Sequence, residues 1–245
     1  MSDVQPTGGA TGRSVWTIVV AGGSGRRFGS MKQFESLDGR RVLDLAVDVA
    51  ASCSDGVVIV VPADDVDDEA RRCGPTLHFR VVAGGPTRTA SVRAGLAAVP
   101  EEAEIVVVHD AARPFASRQL FAAVIDAVRA GADGAVPGLP VVDTVKVIEV
   151  RANGDAGSVI PHVVSTPDRG TLVGVQTPQA FPAPVLRRAH QRDVEGTDDA
   201  SLVEAIGGTV VVVPGEIDNR KITLPEDLEW ARRHVSRHSD DGASR

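Results

Sequence analysis

Three stretches of this chain are apolar without alternation: VWTIVV at 15–20, GVVIVV at 56–61 and IVVVH at 105–109. A strand with one face in water alternates apolar and polar residues with a period of two. An unbroken β-branched run buries both faces, and such strands pair in parallel sheets covered by helices on either side. Strands are predicted at Val15–Ala21, Gly56–Val61, Phe79–Val82, Ile105–His109, Ala132–Val136 and Thr209–Val213. Between them the spacing turns helical. Arg41–Ser52 places Val42, Leu43, Leu45, Ala46 and Val49 on one face, and Val66–Cys73, Thr87–Ala98 and Arg118–Ala130 follow the same period. Later helices are predicted at Pro184–Gln191, Asp198–Ile206 and Pro225–His234. Pro225 suits a helix start, where its missing N–H costs little. The predicted fold is α/β: a mostly parallel twisted sheet with helices on both faces.

One segment breaks this rhythm. Pro137–Val164 carries VVDTVKVIEV, RANGDAGSVI and PHVV, two strands about an Asn153-Gly154 turn. It lacks the apolar content of a domain and reads as a protruding β-hairpin arm, assigned to 137–172. A protruding apolar arm meets a second subunit, so a homodimer through the arm is expected. The rest is one domain over 14–238. Residues 1–13 read as a polar, Gly-rich disordered tail and 239–245 as a polar tail. No apolar run reaches the roughly 18 residues of a membrane span, and the N-terminus has no secretory pattern. The net charge of −7 argues against a nucleic-acid binder, which needs a basic face, but leaves room for a local positive pocket. Cys53 and Cys73 read as free thiols of a reducing cytoplasm.

In sheets of this kind ligands sit at the carboxyl ends of the strands. AGGSGRRFGSMKQ, GGPTR at 84–88 and HDAARP at 109–114 all fall there. In the first, Gly22, Gly23 and Gly25 let the backbone turn tightly and aim N–H groups at an anion, while Arg26 or Arg27 and Lys32 add positive charge. The ordinary alternative is a strand-to-helix turn with solvated cations. No Gly-Lys pair makes a P-loop, and Phe28 stands where a dinucleotide fingerprint needs its third glycine.

Asp110 follows a buried strand, where a carboxylate can hold a divalent ion or simply form a turn. Arg113 can reach a phosphate, and His109 reads as structural. In GEIDNRKIT, Asp218 can share a metal and Lys221 can face a phosphate, against a reading as a solvated loop pair. In GGPTRTASV, Gly84 and Gly85 admit a flat base that Ser91 can hydrogen-bond, against a turn with a helix cap. VQTPQAF reads as an ordered loop, and Thr197 in TDDAS as an N-cap.

Taken in order, AGGSGRR, MKQF, GGPTRTASV, HDAARP, PVVDTVK, QTPQAF, TDDAS and DNRKIT span most of the chain. Together they resemble the 2-C-methyl-D-erythritol 4-phosphate cytidylyltransferase family. The resemblance implies a Rossmann-like nucleotidyltransferase fold that binds CTP with Mg²⁺. It implies transfer of CMP to 2-C-methyl-D-erythritol 4-phosphate, with release of pyrophosphate, in the non-mevalonate route to isoprenoids. It casts Ala21, Gly22, Gly23 and Gly25 as the triphosphate loop, and Arg27, Lys32 and Lys221 as the catalytic cations. Gly85 and Ser91 belong to the cytosine and ribose pocket. Asp110 lies near ribose and metal, with Asp218 as the second carboxylate. Arg113, Thr144, Arg169, Thr177 and Thr197 serve the polyol phosphate, and Arg113 and Thr144 reach the neighbouring subunit's site. Two positions depart from the pattern: Gly22 replaces a common Ala, and Pro86 replaces a frequent acidic residue. A ribitol-5-phosphate cytidylyltransferase shares the loop and HDAARP, although the TVK and QTPQ segments favour the first reading. A non-catalytic nucleotide-binding module is the third alternative.

Overall fold

The computed structural model describes residues 14–23, 31–74, 76, 78–153, 158–192 and 194–242. Along the chain come β1 (Val15–Val20), a minimal hairpin of β2 (Ser36–Leu37) and β3 (Arg40–Arg41), α1 (Val42–Cys53), β4 (Gly56–Val61), α2 (Val66–Cys73), β5 (Phe79–Ala83), α3 (Arg88–Ala98), β6 (Ile105–Asp110), α4 (Arg118–Arg129) and β7 (Gly134–Pro140). The arm follows as β8 (Val147–Asn153) and β9 (Ser158–Ser165). After it come β10 (Val173–Val175), β11 (Gln179–Pro182), α5 (Ala183–His190), α6 (Asp199–Glu204), β12 (Val210–Pro214) and α7 (Pro225–Gly242).

Among the described residues eight strands form the central sheet. β1 lies between β4 and β6, with β5 beyond β4, all parallel. β11 lies antiparallel between β6 and β7; β10 pairs antiparallel with β7 and β12 parallel with it. The sheet is thus mostly parallel, as the uninterrupted apolar runs require. Their period of two divides the core. Val19, Ile59 and Val107 meet Leu43 and Ala46 of α1 and Phe121 and Val124 of α4. Ile18, Val60 and Val108 meet Val92 of α3, Leu186 of α5 and Val203 of α6 on the other face. Each fully buried Val or Ile contributes about 1.5–3 kcal/mol relative to leaving it in water.

Three features differ from the sequence reading. β7 does not stop at Val136 but runs to Pro140, so Pro137–Pro140 belong to the sheet and not to the arm. Proline is tolerated because Pro137 faces the gap between β10 and β11. Its carbonyl accepts from Gln176 N at 2.8 Å. It has no N–H to return, and the Gln176 carbonyl accepts from Gln179 Nε2 at 3.4 Å instead. Next, QTPQAF, expected as loop, supplies β11. Finally, α7 continues to Gly242, into the stretch expected as a tail, since no Gly or Pro interrupts it before that residue.

Among the described residues β8 and β9 pair only with each other, and Ile148 faces Val163 across the ladder. The Gly154 side of the expected turn, and the tail at 1–13, lie outside the described residues.

Candidate active site

At the carboxyl ends of β1, β5 and β6 the following loops open a cleft of about 640 Å³. Backbone bonds carry the ladder past the strand ends and fix those loops: Ala21 N to Val60 O at 2.7 Å, Gly84 N to Val61 O at 2.7 Å, and Ala111 N to Val20 O at 3.0 Å. The lining includes Ala21, Gly22, Gly23, Lys32, Gly85, Ser91, Asp110 and Lys221.

Gly85 is held so close to α3 that an added Cβ would lie 2.5 Å from that of Ala90. Its N–H donates to Ser91 Oγ at 3.1 Å, and that hydroxyl donates to Thr87 O at 2.9 Å. Thr87 caps α3 by accepting from Ala90 N at 3.1 Å. Ser91 lines the cleft, and its hydroxyl also holds the turn, as the turn-and-cap alternative requires.

The loop after β12 reaches the cleft because buried polar side chains tie it down. Asn219 is fully buried; its Nδ2 donates to Thr177 O at 2.8 Å and to Gln176 Oε1 at 3.3 Å. Gln176 Nε2 donates to Glu216 O at 2.8 Å. Ile222 N donates to Ala112 O at 2.8 Å, and Ile222 O accepts from Lys32 Nζ at 2.6 Å. Lys32 and Lys221, far apart in sequence, are thereby fixed at one cleft.

Asp110 is the electrostatic centre. Its Oδ2 accepts from Lys221 Nζ at 2.6 Å and its Oδ1 from Arg88 Nε at 3.2 Å. Burial pushes the carboxyl up, but Arg88, Lys221 and Arg113 outweigh it and hold the group well below the ordinary carboxylate value. Its N–H donates to Thr177 Oγ1 at 3.0 Å. His109, beside it, is buried between Thr177 Oγ1 and Arg113 O, and burial lowers its pKa to about 4. A neutral, wholly enclosed imidazole fits the structural reading of His109.

A second cleft of about 340 Å³ adjoins the first and shares Arg88, Asp110 and Lys221 with it. Thr177 and Thr197 line this one, with Asp198 and Gln179. Thr197 is not the N-cap expected of it: Asp198 caps α6, accepting from Ser201 N at 3.0 Å.

Four expected residues line neither cleft within one chain. Arg113 is mostly enclosed and donates to Asn219 O at 2.8 Å. Thr144 is exposed, and exposed Arg169 donates to Val142 O at 2.6 Å, within the arm. Asp218 is exposed and stands 4.0 Å from His234 Nδ1, because the neighbouring Asn219 takes the inward position on the loop. Gly25 and Arg27 lie outside the described residues. Conversely, Arg88, Gln176, Asn219 and Asp199 also build the site, although no motif gives them a role. Arg88 was visible only as one more cation in GGPTRTASV. Its partner Asp199 is 111 positions away, beyond any local spacing rule.

The donor set bears on metal binding. Among the described residues Asp110 is the one carboxylate lining the larger cleft, and both its oxygens already face cations. Among the described residues no group of three His, Cys, Asp or Glu is placed to hold a metal. These residues do not form a cage for a resident ion. They do suit Mg²⁺ that arrives on phosphates and adds one carboxylate, its usual mode of binding.

Known proteins resemble this chain in sequence and fold. The family model for 2-C-methyl-D-erythritol 4-phosphate cytidylyltransferase matches residues 15–237. The enzyme of that name from Nocardia farcinica is 44% identical over 230 residues, covering 92% of this chain and 96% of the relative. A bifunctional IspD/IspF enzyme from Anaeromyxobacter dehalogenans is 45% identical over 229 residues; the match covers 90% of this chain and 57% of that longer protein. The crystal structure of 4-diphosphocytidyl-2C-methyl-D-erythritol synthase from Anaerococcus prevotii superposes with a TM-score of 0.75 at 31% identity, covering 91% of this chain and 99% of that one. The chain belongs to the 2-C-methyl-D-erythritol 4-phosphate cytidylyltransferase family.

Proposed function

We propose that this chain transfers CMP from CTP to 2-C-methyl-D-erythritol 4-phosphate, releasing pyrophosphate, as a step of isoprenoid synthesis. The observation that carries this is the meeting of two clefts at one charged wall, Arg88, Asp110 and Lys221. The larger cleft takes the nucleotide, with its triphosphate against Gly22, Gly23 and Lys32. The smaller takes the polyol phosphate, beside Thr177 and Thr197. A phosphate oxygen of the polyol substrate then attacks the α-phosphorus. The bond from that phosphorus to the bridging oxygen breaks, and pyrophosphate leaves with the electron pair.

Both reactants are anions, so the site must offset their repulsion before it can align them. Lys32 and Lys221 are fixed in advance of binding, by Ile222 O and Asp110, and lose little freedom as charge develops. Asp110 is the carboxylate that would hold a Mg²⁺ ion arriving with the triphosphate, and such an ion would further neutralise the phosphoryl oxygens. The phosphate is itself the nucleophile, so no side-chain nucleophile is required. Gly25 and Arg27 complete the triphosphate loop in this proposal.

The arm supports a homodimer. Val142, Ile148, Val150 and Val163 are each more than half exposed in one chain, at 77%, 52%, 64% and 60%. An apolar hairpin of this kind is covered by a second copy. Arg113, Thr144 and Arg169 belong to the polyol-phosphate site in that assembly. No helix among the described residues is long and apolar enough to cross a membrane, and Cys53 and Cys73 are free thiols. We place the reaction in the cytoplasm on that chemistry.

Pyrophosphate release from CTP and Mg²⁺, measured in parallel with 2-C-methyl-D-erythritol 4-phosphate and ribitol 5-phosphate, tests the reading. Turnover with the first substrate is expected. Turnover with ribitol phosphate alone would transfer the proposal to that substrate, and release with neither would end it.

A further inference from the structure

The charged wall does not stop at Asp110. Arg88 is the first residue of α3, and its guanidinium lies between carboxylates of two other elements. Nε donates to Asp110 Oδ1 at 3.2 Å, and Nη1 donates to Asp199 Oδ2 at 2.8 Å. Asp199 is the first residue of α6 and 1% exposed; its other oxygen stands 3.0 Å from Nε2 of His190, at the end of α5. Asp199 and His190 line neither of the two clefts described above. The chain His190–Asp199–Arg88–Asp110–Lys221 nevertheless joins α5 to the catalytic loop through unbroken polar contacts.

A purely structural role explains this poorly. Burying an arginine and two carboxylates costs several kcal/mol per ion before pairing, and apolar residues of similar size often stabilise as well or better. Arg88 also keeps a buried Nη2 with no hydrogen-bond acceptor. What the arrangement does achieve is a division of the guanidinium. Arginine prefers to grip one carboxylate with two parallel N–H bonds. Asp199 holds Nη1 at 2.8 Å, and in that pose only Nε reaches Asp110 while Nη2 meets no acceptor. One oxygen of Asp110 is thereby kept for Lys221, whose Nζ sits 2.6 Å away.

We infer that Arg88, anchored by Asp199 and His190, is a positioning residue that keeps Asp110 paired with Lys221. With Asp199 neutralised, Arg88 turns its fork onto Asp110 and displaces the lysine. The inference rests on the reading of Lys221 as a catalytic cation. Its test therefore includes a measurement independent of turnover.

Asp199→Asn, Arg88→Gln, Arg88→Lys and the double variant Arg88→Gln/Asp199→Asn are compared with the unaltered protein by steady-state kinetics and thermal melting. The rate at which an amine-directed acylating reagent labels Lys221 is followed by mass spectrometry. Asp199→Asn is expected to lower kcat tenfold or more with KM for CTP within twofold. It is also expected to speed labelling of Lys221 several-fold while Lys146 is unchanged. Arg88→Lys restores part of what Arg88→Gln loses. The double variant is no slower than Arg88→Gln alone, because the two residues act as one unit. Unchanged kcat and unchanged Lys221 labelling in a folded Asp199→Asn protein would overturn the inference and leave the proposed reaction standing. If the unaltered protein shows no turnover, the reaction fails separately, and Lys221 labelling alone decides the positioning role.

Discussion

Replacing Asp110 by Asn removes one negative charge from between two cations and leaves the side chain almost the same shape. Breaking a buried ion pair costs about 3–5 kcal/mol, and breaking an exposed one about 0.2–1 kcal/mol. The Asp110 carboxylate is enclosed, but the Lys221 side chain is 42% exposed and solvent screens it. Arg88 also retains Asp199. The expected loss lies between the limits, at about 1–3 kcal/mol, or roughly 2–12 °C in Tm for a domain of this size.

The loss must also depend on pH. The Asp110 carboxyl is held below its ordinary value of 3.8 in the folded state. A depressed carboxylate stabilises fully at pH values above the unfolded pKa and loses that contribution as pH falls through the folded one. Asn does not titrate. The gap between the two proteins is therefore widest at neutral pH and narrows on acidification below about pH 4. Urea unfolding followed by the fluorescence of Trp16 and Trp230, at pH 7 and at pH 3.5, measures it. Turnover of the variant should fall about a hundredfold or more, since Lys221 loses the group that orients it. No gap at neutral pH, or an equal gap at both pH values, would refute the assignment of Asp110 as an ionised anchor.

Other perturbations follow from the same geometry. Lys32→Ala should lower turnover by about two orders of magnitude with melting little changed, and near-normal turnover with CTP binding intact would remove Lys32 from the mechanism. Gly85→Ala would place a Cβ 2.5 Å from that of Ala90; a rise of about tenfold in KM for CTP is expected as the turn shifts, and an unchanged KM would detach the turn from nucleotide binding. Gly56→Ala sets a Cβ 2.5 Å from the Trp16 ring and should cost about 1–3 kcal/mol in urea unfolding, with a loss below a few tenths counting against that contact. Ile148→Lys with Val163→Glu pairs opposite charges across the arm while removing two of its exposed apolar side chains. Sedimentation should report a monomer, and unchanged assembly would rule the arm out as the dimer contact.

The sheet was legible because its central strands are buried on both faces and cannot alternate. VWTIVV, GVVIVV and IVVVH each form a parallel strand within a residue or so of the expected ends. β11 was not legible. Its four residues, QAFP, hold no β-branched side chain, and their strand character comes from lying between β6 and β7. The far end of β7, beyond Val136, hid for a related reason: Pro137 is harmless only because Gln179 answers the Gln176 carbonyl, a compensation no local window contains.

Within the site, the glycine turns, Lys32, Asp110 and Lys221 were legible as residue types placed after strands. Which of their neighbours mattered was not. Asp218 looked as good a ligand as Asp110 until Asn219 took the inward position on that loop. Thr197 looked the better cap until Asp198 took it. Arg88 acquires its meaning only from Asp110 and Asp199, which chain folding brings to it from two other elements.

The position of the bound nucleotide decides the proposed reaction. A crystal structure with CTP and Mg²⁺ bound is predicted to place the triphosphate against Gly22, Gly23 and Lys32, with its α-phosphorus facing the wall formed by Asp110 and Lys221. Nucleotide density elsewhere, with those side chains untouched, would contradict it.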